Sequence, residues 1–211
     1  MKTIGLIGGM SWESTAHYYR ILNQEAARRL GGLHSAPVII HSLDFAPIAA
    51  MQAEGRWDEA GDLLNAAAKG LVAAGAEVLG LATNTMHVTA DRMMAGIDIP
   101  FIHIADPTAD ALLADDFDTI GLLGTRFTME MGFYKDRLAE RGLTPLIPEV
   151  DRTNLNGIIY EELCKGMVRE ESRRIYVTAI ERLAARGAQA VILGCTEIGM
   201  LIDDDVSPLP V

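Results

Sequence analysis

One hexapeptide recurs in this chain with a single change, Ile7 to Leu123. Thr3-Ile4-Gly5-Leu6-Ile7-Gly8 returns as Thr119-Ile120-Gly121-Leu122-Leu123-Gly124, 116 positions later. A second pair, Gly75-Ala76-Glu77-Val78 and Gly187-Ala188-Gln189-Ala190, recurs at an offset of 112. A short turn and a helix follow each hexapeptide, with Tyr18-Tyr19-Arg20 in one helix and Phe133-Tyr134-Lys135 in the other. Any two strand–helix units share some likeness, but two matches at nearly one spacing point to an internal duplication. The chain then has two similar halves, each ending a strand in a polar triplet.

The apolar runs 3–8, 37–43, 77–82, 100–104, 119–124 and 190–193 read as buried strands. Periodic stretches at 13–29, 57–74, 105–113, 155–167 and 169–186 read as helices, with a shorter one ending near Met94. Residues 44–55 and 148–151 read as loops. Strands alternating with helices imply βαβ units, parallel sheets and the α/β class. No low-complexity linker separates the halves, so they are expected to pack closely. Leu209-Pro210-Val211 resembles the start of a strand, and further sequence is expected to follow it.

A formal charge of −11 argues against nucleic acid, which calls for a basic face. It leaves room for a small anion held by backbone N–H groups at helix starts. The two cysteines form no C-x-x-C pair, and the five histidines lack the spacing of a helical metal site, so no metal is expected. The apolar run at the N-terminus is too short for a signal peptide, and no stretch reaches the length of a membrane span. A cytoplasmic protein acting on a small molecule, with no membrane partner, is the default reading.

The two triplets are Thr83-Asn84-Thr85 and Cys195-Thr196-Glu197. Ligands of open α/β folds bind at such carboxyl ends of parallel strands. Cys195 offers a thiolate, which a helix N-terminus favours and Glu197 opposes. A lone cysteine near a strand end is more often a small buried hydrophobe than a nucleophile or base. Thr83, at the matched position, is a far weaker acid and suits donating a hydrogen bond or relaying a proton through water. It reads equally as a β-branched strand end. Asn84 supplies donors and an acceptor, while Thr85 and Thr196 are placed to cap the helices that follow. The turn Gly8-Gly9-Met10-Ser11 offers N–H groups through Met10 and Ser11, without the dinucleotide or phosphate-loop fingerprint. Its partner turn adds the hydroxyls of Thr125 and Thr128, and two such turns suit a ligand with two carboxylates. Gln52 lies near the apolar Phe45-Ala46-Pro47-Ile48, a candidate pocket lining. His87 is within reach of the first triplet. His41 and His103 read as core or rim, Trp12 and Trp57 as packing, and Cys164 as structural on the inner face of a helix.

Together Ile4-Gly5-Leu6-Ile7-Gly8-Gly9-Met10-Ser11-Trp12, Asn84-Thr85-Met86-His87 and Gly194-Cys195-Thr196-Glu197-Ile198 resemble the aspartate/glutamate racemase family. The resemblance covers almost the whole chain. It implies two pseudo-symmetric three-layer α/β halves with mostly parallel sheets, residues 1–103 plus 205–211 and residues 104–204, and an active site in the cleft between them. It implies cofactor-independent racemisation, one catalytic cysteine from each half, and a homodimer. Thr83 stands where most members have cysteine, which resembles an atypical Thr/Cys branch that includes an enterobacterial L-aspartate/glutamate-specific racemase. Cys195 and Thr83 are then the catalytic pair, acting on L-Asp or L-Glu. Lys165 falls where the resemblance implies a grip on the distal carboxylate. Met10, Ser11, Gln52, Asn84, Thr85, Thr125, Thr128, Thr196 and Glu197 complete the expected substrate site. The single thiol keeps two alternatives open: a single-cysteine decarboxylase or isomerase of the same superfamily, and an amino-acid-binding protein without activity.

Overall fold

The structure is a computed structural model describing Met1–Val211 throughout. The chain forms two compact units, Met1–Ile104 and Ala105–Val211. Residues 205–211, expected with the first half, lie with the second. The Val191 N–H donates to Pro210 O at 2.8 Å, and Leu209 packs on the second unit's core. The tail thereby satisfies a backbone donor on the open edge of a strand.

The first unit runs β1 (Ile4–Gly8), α1 (Trp12–Leu30), β2 (Val38–Ser42), α2 (Phe45–Glu54), α3 (Trp57–Ala73) and β3 (Val78–Leu81). A 3-10 turn (Thr85–Thr89), α4 (Ala90–Met93) and the two-residue β4 (Phe101–Ile102) complete it. Its sheet is parallel, in the order β2-β1-β3-β4. The second unit runs α5 (Ala105–Ala114), β5 (Thr119–Gly124), α6 (Arg126–Glu130), α7 (Gly132–Glu140), β6 (Thr144–Leu146) and α8 (Arg152–Glu161). A 3-10 turn (Leu163–Lys165), α9 (Glu170–Ala185), β7 (Ala190–Gly194) and a last 3-10 turn (Thr196–Met200) follow. Its sheet is also parallel, in the order β6-β5-β7.

The repeat survives in the strand register. Ile4 pairs with Val78, and Ile120, 116 positions on, pairs with Ala190, 112 positions on. The buried faces of the crossover helices match too. Ala60, Leu64, Ala67, Ala68 and Leu71 of α3 correspond, 112 positions later, to Ser172, Tyr176, Ala179, Ile180 and Leu183 of α9. This spacing gives each helix one stripe to lay on a sheet. Each unit has its own core: Ile7, Leu64, Leu71, Leu79 and Met86 in the first, Leu123, Leu155, Tyr176, Ile180 and Val191 in the second. Gly5 permits the close approach, since a Cβ there would lie 2.7 Å from Ala76 Cβ.

Four local expectations are corrected. Residues 44–55 hold a helix, α2, because Asp44 Oδ1 accepts from Ala46 N–H at 3.2 Å and Gly55 ends it in the left-handed region. Pro47 sits in the first turn, where its missing N–H costs nothing. The helix expected over 155–167 ends at Glu161, where Glu162 leaves helical geometry and Gly166 turns left-handed. Cys164 therefore lies on a short turn, exposed as a residue though its thiol is partly shielded, and not on an inner helix face. Trp12, expected to pack, is 65% exposed at the start of α1, while Trp57 does pack on the first core.

Candidate active site

In the first unit, β1 and β3 deliver the expected residues side by side at their carboxyl ends. The turn after β1 is built around Thr15. Its hydroxyl accepts from Gly9 N–H at 2.8 Å and donates to Ser11 O at 3.0 Å. Ser11 Oγ caps α1 by accepting from Ser14 N–H at 3.4 Å. The Met10 side chain is buried in the core, which leaves backbone as the part of this residue suited to a ligand. Gln52 comes from α2, is 4% exposed, and sets its Nε2 3.1 Å from Met86 Sδ, beside the turn after β3.

Thr83 and Asn84 are half-buried at the end of β3, and Thr85 is buried. The residue at the N-cap of the following turn is Asn84, with no side-chain cap, so Thr85 does not cap it as expected. Asn84 Oδ1 is buried and has no hydrogen-bond partner. Such an acceptor costs free energy until a donor reaches it. His87 points inward, with Nδ1 2.7 Å from Thr83 O.

In the second unit, β7 ends in Gly194 and presents Cys195, half-buried, at the start of the last 3-10 turn. Cys195 Sγ donates to Glu197 Oε2 at 2.9 Å, and Thr196 Oγ1 donates to the same oxygen at 2.9 Å. Cys195 occupies the N-cap, so Thr196 is not the cap. Burial, then the Glu197 charge, pushes the Cys195 thiol well above its ordinary pKa. Partial burial of the Cys164 thiol, and next the same carboxylate, push that group up to about 11. The Tyr160 phenol is raised by burial and then by Cys195, Cys164 and Glu197. Sequence reading missed Tyr160 because it lies on α8 as one apolar-face residue among several.

After β5, Thr125 caps α6 by accepting from Thr128 N–H at 3.2 Å, and the two hydroxyls lie 3.2 Å apart. Lys165 sits on the surface with Nζ 2.6 Å from Glu161 Oε2. An exposed pair of this kind is worth about 0–1 kcal/mol, so the lysine is cheaply redirected. An open groove of about 640 Å³ lined by Glu130, Glu149, Asp151 and Arg152 holds none of the expected residues. No three His, Cys, Asp or Glu side chains are grouped to hold a metal ion.

A model of the Asp/Glu/Hydantoin racemase family matches residues 7–211. The chain belongs to this family. A candidate Asp/Glu racemase from Yersinia pestis is 50% identical to this family member, with a TM-score of 0.93 over 100% of this chain and 93% of that one. An aspartate racemase homologue from Pyrococcus horikoshii OT3 is 34% identical, with a TM-score of 0.82 over 100% and 92%. The Picrophilus torridus aspartate racemase, 21% identical with a TM-score of 0.75 over 100% and 88%, shares the fold. By family and by fold the chain groups with the amino-acid racemases. A stretch of 132 residues, 62% of this chain, is 25% identical to the potassium-transporting ATPase ATP-binding subunit of Dechloromonas aromatica. That stretch spans only 18% of the ATPase subunit.

Proposed function

We propose that this chain racemises acidic amino acids, L-aspartate or L-glutamate, without a cofactor. The observation that carries the reading is the Cys195–Glu197 hydrogen bond at the end of β7. Glu197 takes the thiol proton, and the thiolate then removes the Cα proton of the L-substrate. The half-buried thiolate beside a carboxylate is costly to form, but its raised pKa makes it a correspondingly strong base once formed. Thr83, which the strand register matches to Cys195, or a water it holds, delivers a proton to the other face of the carbanion. Asn84, Thr85 and Thr196, with backbone N–H groups near Met10 and Ser11, donate to the α-carboxylate as charge develops. Each well-placed donor of this kind supplies roughly 3 kcal/mol. Gln52, Thr125, Thr128 and Lys165 serve the side-chain carboxylate, and the dimer and cytoplasmic location belong to the same reading.

The test is ¹H NMR in D₂O with the L- and D-forms of aspartate and glutamate. The parent protein is expected to exchange the Cα proton of the L-form and build up the D-form. Cys195→Ala exchanging as fast as the parent sinks the proposal. Ligand-induced thermal stabilisation without exchange assigns the chain as a binding protein, and CO₂ release from a substituted malonate assigns a decarboxylase.

A further inference from the structure

His87 lies in the 3-10 turn that follows β3 and is 2% exposed. Its Nδ1 is 2.7 Å from Thr83 O and 3.2 Å from Asn84 O. Its Nε2 is 3.2 Å from the Ile104 N–H. A carbonyl oxygen only accepts and a backbone N–H only donates, so the partners assign the tautomer: Nδ1 carries the proton and Nε2 is bare. The ring is boxed in by His103, with centroids 4.5 Å apart, and by Phe101 at 5.6 Å. His87 thus ties the carbonyls of Thr83 and Asn84 to the chain just after β4.

The matched position in the second unit, 112 residues on, is Gly199, where no ring stands and a Cβ would meet nothing within 4 Å. The clamp is present only in the copy whose strand ends in the weaker acid. A thiolate is a strong base that tolerates some freedom. A hydroxyl, or a water held by one, transfers a proton only when it is held at the right angle and distance.

We infer that His87 is a positioning residue, whose Nδ1–H fixes the Thr83–Asn84 peptide so that the Thr83 hydroxyl is aimed for proton delivery. The inference rests on the racemase reading, and the experiment separates the two. Exchange of the L-substrate proton with return to the same face needs Cys195 with Glu197 but not Thr83, whereas formation of the D-enantiomer needs Thr83 as well. The ratio of D-enantiomer formed, by chiral chromatography, to deuterium exchanged into the L-form, by NMR, is therefore the readout. It does not depend on how much of the protein is folded.

An asparagine side chain reproduces the Nδ1–H donor, and a glutamine side chain reproduces the Nε2 acceptor. His87→Gln is expected to lower the ratio by about tenfold or more, since a misplacement near 1 Å costs up to about 100-fold. His87→Asn is expected to stay within about threefold of the parent. Equal ratios in both variants and the parent overturn the inference, as does a parent that exchanges the L-proton but forms no D-enantiomer. A parent with no exchange at all overturns the racemase reading instead. Should either variant fail to fold, long-range ¹H–¹⁵N NMR of the parent still decides. A neutral Nδ1–H ring is expected, and an Nε2–H ring or an imidazolium at neutral pH overturns the assignment.

Discussion

Cys195 Sγ and Glu197 Oε2 are 2.9 Å apart, with the thiol as donor. The carboxylate thus both raises the thiol pKa and stands ready to receive its proton. Glu197→Gln separates these effects. Thiol alkylation by iodoacetamide near neutral pH is expected to accelerate, because a like charge has gone. Exchange of the L-substrate proton is expected to fall by about 100-fold, because the proton acceptor has gone with it. If both rates fall together, Glu197 merely supports the turn.

Asn84 Oδ1 predicts a different kind of variant. Truncation to alanine removes a buried acceptor that has no partner. Asn84→Ala is therefore expected to leave the urea midpoint unchanged or slightly raised, while affinity for the amino acid drops by about 1–3 kcal/mol. Calorimetric titration beside urea unfolding checks this. A clear loss of stability with unchanged affinity would show that the oxygen serves the fold.

The alkaline limb of stability has a predictable sign. Cys195, Cys164, Tyr160 and Tyr176 all hold their protons more tightly when folded, with burial as the first cause in each. The unfolded chain therefore releases these protons first. Stability is full below the ordinary thiol value of 9.0 and declines as pH rises towards about 11, the value Cys164 reaches. The urea midpoint is expected to be level from about pH 7 to 8 and to fall from about pH 9 upward. Cys195→Ala is expected to flatten the first part of that fall, and a level midpoint to about pH 10.5 would contradict the burial argument.

Thr15 is the hub of the turn after β1. Thr15→Val keeps the shape but leaves the Gly9 N–H without its 2.8 Å acceptor. The expected cost is about 1–3 kcal/mol, seen as a lower urea midpoint at constant m-value. A change in m would instead indicate that two-state unfolding had been lost.

Much of this was legible in the residues. The two offsets read from short matches reappear in strand register and in the buried faces of α3 and α9. Thr83 and Cys195 follow matched strands for the same reason. The α2 helix was not legible from periodicity, because Phe45-Ala46-Pro47-Ile48 is apolar on every side. Its signals were the Asp44 cap and Gly55. β6 is three residues long and contains Pro145, too little for a strand pattern. His87 was within reach of the site on the line of the sequence, but a 3-10 turn aims its side chain differently from an α-helix. It turned inward to the carbonyls behind Thr83.

The likeness of α3 and α9 carries a hazard. While the chain is being made, a second helix with the same spacing of buried positions can settle on the wrong sheet, or on the sheet of another chain. The two helices are not interchangeable, however. Tyr176 stands where α3 has Leu64, and its phenol donates to Leu155 O at 2.9 Å, an acceptor that belongs to the second unit alone. Docked on the first sheet, that hydroxyl would be buried without its acceptor, at a cost of about 1–3 kcal/mol. One oxygen atom thus favours the native docking of α9 by that margin, a bias that the matching stripes of buried residues do not supply.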